Sequence, residues 1–186
     1  MAQSPPPAIN QGGIVNNASY TQTTGPIAPG SITAIFGTNL NDGSTVLSST
    51  IDADGKLVTS LAGASVKVND ISAPLFYSTP QQLGIQIPVE LAGQASASVQ
   101  VTVNGQMSAP QTIFLDAAAP GIFTTGTQRT PAAAALHENN ISPLSTRNPA
   151  RPNEVIVLFA TGLVKSRTSR GTSGLPGNRR RLLQAQ

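Results

Sequence analysis

A chain of 186 residues with 10% charged side chains, 17 glycines, 15 prolines and no cysteine has room for roughly one to two domains and no means of building a disulfide framework or a thiolate metal site. Its formal charge of +3 is unevenly laid out: five basic residues face eight acidic ones up to Val164, and six basic residues with no acid follow from Lys165. A mildly acidic body repels phosphate backbones, which argues against nucleic-acid binding by the folded part, and no apolar run approaches the roughly 20 residues that a membrane-spanning helix needs.

Residues 1–11 are polar and proline-rich, and the run Pro5-Pro6-Pro7 favours an extended lead-in over packed structure. Met1 to Pro7 offers neither a basic nor an apolar signal region, so no signal peptide is expected there. Ile14-Val15 is a short apolar pair, and residues 21–30 are rich in turn formers. In 31–36, Ile32, Ala34 and Phe36 share one face of a predicted strand while Thr33 and Ile35 take the other. We expect the Ile32, Ala34 and Phe36 face to be the one a sandwich covers. Residues 44–63 carry a weak pattern and read as a long loop.

Regularity returns at Ser65. Asn69-Asp70 between 65–68 and 71–77, and Asn104-Gly105 after Val99, Val101 and Val103, are two-residue hairpin turns, because Asn, Asp and Gly tolerate the positive φ that such turns require. Between them Leu83, Ile85 and Ile87 alternate with polar or small residues until Pro88. Seven strands come out of residues 12–116, at the spacing of an immunoglobulin-like β-sandwich. Residues 117–151 read as a connector with short strands at 122–124 and 132–136 and a turn at Asn139-Asn140. Residues 164–186 are Ser-, Gly- and Arg-rich without alternation; they cannot bury enough apolar area to offset an ordering entropy of roughly 1–2 kcal/mol per residue and are expected to be a basic disordered tail.

One phrase occurs twice. Residues 29–40 align without a gap on residues 152–163, with Pro, Phe, Thr and Leu identical, and each copy begins in turn formers and runs into β-branched residues. The fold expected is therefore all-β: a sandwich, then at 152–163 the first strand of a truncated second β-module, then the tail. A frameshift or a misplaced gene end would account for the loss of pattern after Leu163. Uncovered, residues 154–161 form a strand of high β-propensity that should dock on the first domain or self-pair.

Gly12 to Tyr20, Ala28 to Leu40, Ala73 to Tyr77 with Gln82 to Pro88, Ala118 to Phe123 and Asn148 to Leu163, in that order, resemble the Solibacter-type uncharacterised C-terminal domain family, whose modules look like the IPT/TIG branch of immunoglobulin-like folds. The resemblance implies an extracellular or cell-envelope setting near the end of an exported bacterial protein, and no catalytic residue.

The residue inventory agrees with a noncatalytic reading and implies no cofactor. The lone His137 beside Glu138 reads as a solvated loop residue, and no nucleophile elbow, phosphate loop or metal spacing is present. Asn39, Asn41, Asp42, Asp52 and Asp54 read as turn formers, with calcium ligation as the alternative. Asn17-Ala18-Ser19 and Asn140-Ile141-Ser142 fit the glycosylation triplet. Tyr20, Tyr77, Phe76, Phe114 and Phe123 could form a sugar-stacking platform, although the phenylalanines are expected in the core with the tyrosines capping it. The expectation is a spacer or interaction module whose partners are neighbouring modules of the same parent protein or surface proteins. The alternative is a carbohydrate-binding module in which Tyr20 and Tyr77 are the weak ligand-contact candidates and polysaccharide the partner.

Overall fold

The computed structural model describes residues 5–20, 25–127, 130–139 and 141–163. The expected tail at 164–186 lies outside the described residues, as do the first four residues of the lead-in. The strands in chain order are β1 (Ala8–Asn16), β2 (Ile32–Thr38), β3 (Ser60–Leu61), β4 (Ala64–Val68), β5 (Ile71–Ser72), β6 (Leu75–Ser78), β7 (Gln82–Gln86), β8 (Ser96–Val103), β9 (Gln106–Met107) and β10 (Gln111–Phe114). After them come β11 (Gly121–Ile122), β12 (Thr124–Thr127), β13 (Thr130–Ala133), β14 (Ala135–His137), β15 (Ile156–Leu158) and β16 (Ala160–Thr161).

Two antiparallel sheets make the sandwich. One has the order β1-β2-β7-β6; the other has β10-β8-β4-β3, with β5 and β9 added to β4 and β8. The predicted hairpins form as their chemistry requires: Asn69 and Asp70 both have positive φ (46° and 64°), as do Asn104 and Gly105 (48° and 84°), and Val68 pairs with Ile71 and Val103 with Gln106 across them. A further hairpin joins β3 to β4 through Ala62-Gly63, inside the stretch expected to be loop. Alternation places Val66, Val68, Val99, Val101 and Ile113 of one sheet in the same buried cluster as Ile35, Leu75, Leu83 and Ile85 of the other, with Leu40, Ile87 and Leu91 joining it from the connections.

Three expectations are corrected. The first strand begins at Ala8, inside the supposed lead-in, because Ala8 and Ile9 pair with Thr38 and Gly37. The face of β2 that meets the opposite sheet is Thr33 and Ile35, paired with Ile85 and Leu83 of β7. Ile32, Ala34 and Phe36 lie on the outer face. The phenylalanines are not the core: Phe114 is 63% exposed, and Phe36, Phe76, Phe123 and Phe159 are half-buried. Aliphatic side chains fill the space between the sheets.

Beyond the sandwich, the second copy of the repeated phrase takes up the backbone of the first. Pro29-Gly30 and Pro152-Asn153 make the same turn, closed by Ser31 N–H on Ala28 O and by Glu154 N–H on Arg151 O, each at 3.1 Å. Gly30 and Asn153 have φ of 81° and 65°, and the next-to-last residues of the copies, Asn39 and Gly162, have 54° and 72°. The likeness extends to the preceding strand. Ile14, Val15 and Asn16 pair with Ile35, Ala34 and Thr33, and Ala135, Leu136 and His137 pair with Leu158, Val157 and Ile156, the aligned residues. Ala8 and Ile9 likewise pair with Thr38 and Gly37, as Gly121 and Ile122 do with Thr161 and Ala160. The β12–β13 hairpin is an excursion between the two halves of this second first strand.

Candidate functional site

The outer face of the β1-β2-β7-β6 sheet gathers the aromatic candidates. Gly84 lies opposite Ala34 on β2 and Tyr77 on β6, and it has no side chain because the Tyr77 ring occupies the place: a Cβ there would come 2.2 Å from a ring carbon. The Tyr77 hydroxyl donates to Asn17 Oδ1 at 2.9 Å and accepts from Gln82 Nε2 at 2.8 Å. Burial, followed by the neighbouring Tyr20, pushes this phenol well above its usual range, so it stays protonated. Tyr20 donates to the same Asn17 Oδ1 at 2.9 Å and tilts its ring against Phe36, centroids 6.3 Å apart. It sits at φ 48°, a strained setting for a bulky residue that the hydrogen bond and the ring contact hold in place.

The structure thus brings Tyr20 and Tyr77 together on Asn17, a link that sequence spacing did not reveal. It leaves Phe114 on another strand, at the edge of the opposite sheet. Tyr20 is 48% exposed, whereas Tyr77 is pressed on the sheet with its hydroxyl fully engaged. The cluster can present one ring edge and an amide rim; it holds no base or nucleophile.

His137 departs from its expected setting. It is a buried residue of β14, 6% exposed, whose Nδ1 meets the Glu154 carboxylate and whose Nε2 faces Asn148 O at 3.3 Å. The second carboxylate oxygen of Glu154 accepts from Arg151 N–H at 2.8 Å. That backbone bond, then the His137 contact, holds the Glu154 carboxyl below the ordinary carboxylate range. Both imidazole nitrogens therefore face acceptors, and neither faces a hydroxyl or thiol. The pair is a strut between β14 and the turn that launches β15. An open depression beside it is lined also by Asn139, Arg151 and Asn153.

The oxygen-rich loops are spent on turns. Asn41, 6% exposed, donates to Ser44 O and Ser78 Oγ and accepts from Gly43 N–H. Asp42 accepts from the Ser44 amide and hydroxyl, which lowers its carboxyl pKa, and Asp52 accepts from the amides of Asp54 and Lys56. Asn39, next to last in the first copy, takes the left-handed conformation. Among the described residues no three His, Cys, Asp or Glu gather as a metal-ligand group. Of the glycosylation triplets, Asn17 is the tyrosine acceptor, and Asn140 lies outside the described residues.

A third site was not foreseen: the joint between the sandwich and the second hairpin. Asn16 Nδ2 donates to Ala119 O at 2.8 Å, Ile32 N–H donates to the buried Thr161 Oγ1 at 2.7 Å, and Ala119 N–H donates to Gly162 O at 2.9 Å. Gly121 packs against Asn16 and Ala18 so closely that a Cβ would lie 2.6 Å from Asn16 Oδ1. The expected docking of residues 154–161 on the first domain is thus made through the end of that segment.

No curated protein sequence matches the chain. A family comparison matches residues 18–114, which span the sandwich from the turn after β1 to the end of β10, to the IPT/TIG domain. Two stacked antiparallel sheets, hairpins at the expected turns and a match over more than half the sequence agree: the chain belongs to the IPT/TIG family of immunoglobulin-like domains.

Proposed function

We propose that this chain is a noncatalytic spacer or protein-interaction module from the C-terminal region of an exported or cell-surface bacterial protein, within the finer Solibacter-type group of such domains. Family membership supports the coarse part, an immunoglobulin-like interaction module. The observation that carries the rest is the joint: Asn16, Thr161 and Gly162 tie one module-opening hairpin to the sandwich before it, which is the contact successive modules of a larger protein would make. The side chains with chemical potential support the noncatalytic part, since His137, Glu154 and Tyr77 all spend their polar atoms on struts.

The test is direct. Purified protein is incubated with ester, glycoside and peptide substrates, and separately with insoluble polysaccharide. No turnover and no retention are expected. Turnover that disappears in His137→Ala or Glu154→Gln would overturn the noncatalytic reading, and retention lost in Tyr20→Ala would replace it with carbohydrate binding at the tyrosine cluster.

A further inference from the structure

The two hairpins share a register but not their surroundings. On β2, Ser31, Thr33, Ile35 and Gly37 direct their amides and carbonyls away from β1 and toward β7, as the bonds from Ile87 N–H to Ser31 O and from Gly37 N–H to Gln81 O fix. On β15, Val155, Val157 and Phe159 turn toward β14 and β11: Glu138 N–H donates to Val155 O, Phe159 N–H to Ala134 O and Phe123 N–H to Phe159 O. Ile156 and Leu158, which align with Thr33 and Ile35, therefore direct their backbone groups the other way. Among the described residues no strand pairs with that edge. The far side of β14 is covered, by Leu144 N–H on Ala135 O and His137 N–H on Ser142 O, so the open edge belongs to β15 alone.

The side chains repeat the contrast. Ile9 and Thr33, on the face of the first hairpin that meets the opposite sheet, are 9% and 0% exposed; their counterparts Ile122 and Ile156 are 47% and 36% exposed. An unpaired edge beside an uncovered apolar face is a template for strand addition. The first copy displays the occupant: β7, which runs antiparallel, carries no charge, and sets Leu83 and Ile85 against Ile35 and Thr33. Glu154, the charged residue at this edge, already has its carboxylate engaged by His137 and the Arg151 amide.

We infer that the outer edge of β15 is a strand-accepting site for an extended, uncharged, apolar-alternating segment of a partner polypeptide, taken up antiparallel in the register β7 holds on β2. This rests on the interaction-module reading and names its interacting edge. The pairing sets Ile156 and Leu158 as the hydrogen-bonded positions and leaves Val157 facing β14.

The probe is a fluorescein-labelled peptide copying residues 79–88, titrated into the full chain by anisotropy, with amide exchange followed by NMR. Saturable binding is expected, with new protection at Ile156 and Leu158 and none at Val157. N-methylation at the positions copying Leu83 and Ile85 should weaken binding about tenfold or more, while N-methylation at those copying Gly84 and Gln86 should leave it within about threefold. Ile156→Pro, whose only lost backbone donor is an outward amide, should also abolish binding, while Ile156→Ala, which trims the side chain and keeps the amide, should weaken it less. Absence of binding, equal binding by both methylated peptides, protection of Ile156 and Leu158 before peptide is added, or a self-dimer through this edge that the peptide does not displace would each overturn the inference. If the proline variant unfolds, the methylated pair decides. A protein that neither turns over substrates nor takes up the peptide loses this edge but keeps the module reading.

Discussion

The β1–β2 hairpin and the hairpin of β11, β14, β15 and β16 are the same local structure in two settings. The first is sealed by β7 on its edge and by the second sheet on its face; the second leaves Ile122 and Ile156 partly open. That the registers agree in both settings teaches that the phrase sets its own conformation. A Pro-Gly or Pro-Asn turn launches the strand, a left-handed Asn or Gly ends it, and β-branched residues hold it extended. What the setting adds is stability.

The largest contrast should come from matched truncations. Ile35→Ala removes a fully buried side chain opposite Leu83 and should cost about 2–5 kcal/mol, read as a drop in the melting midpoint of the sandwich. Leu158→Ala, at the position matching Ile35 but only half-buried, should cost well under half of that. Equal losses would mean that the second hairpin is sealed after all.

An intermediate effect is expected where the copies end. Gly162 has φ 72° and a Cβ there would lie 2.0 Å from Ala119 O, so Gly162→Ala meets backbone as well as left-handed strain of about 1–2 kcal/mol. It should break the Ala119–Gly162 bond and raise amide exchange at Ala119 while the β8 amides stay protected. Asn39 already carries a side chain at the matching place, so Asn39→Ala should do far less.

The smallest effect is one of pH. The Glu154 carboxyl is depressed in the folded chain, so its contribution is complete above the unfolded value near 4.5 and fades as pH falls through the folded value. Ser31 stands at this position in the first copy and does not titrate. Acid should therefore loosen the β14–β15 pairing, seen as a lower protection factor at the Glu138 amide once the intrinsic slowing of exchange with pH is divided out, without touching that of the matching Asn17 amide. Equal loosening of both would assign the effect elsewhere.

The parts of this fold that could be read from the sequence are those with local causes. Asn69-Asp70 and Asn104-Gly105 dictate φ within two residues, and the Leu83, Ile85 alternation needs only its own strand. The repeated phrase was visible because it is contiguous. Its partner showed only as separate short strands at 122–124 and 132–136, since the β12–β13 excursion separates Ile122 from Ala135 and hides that they form one interrupted strand. Ala8-Ile9 looked like linker beside three prolines, because its strand character comes from Gly37 and Thr38. The burial of His137 depends on a carboxylate 17 positions away, and Tyr77 meets the side-chain amide of Asn17, 60 positions away. Alternation in β2 divided the side chains correctly into two faces but could not say which was interior, since both are apolar and the outer one is roofed by Tyr77.

The Asn16 to Ala119 bond has a consequence for mechanics. The connector from Leu115 to Pro120 is short, and its carbonyl is gripped by the strand end where the sandwich began. Bending at this junction would have to rupture the Asn16 and Thr161 contacts together, so two sandwiches joined this way would meet at a stiff elbow rather than at a free swivel.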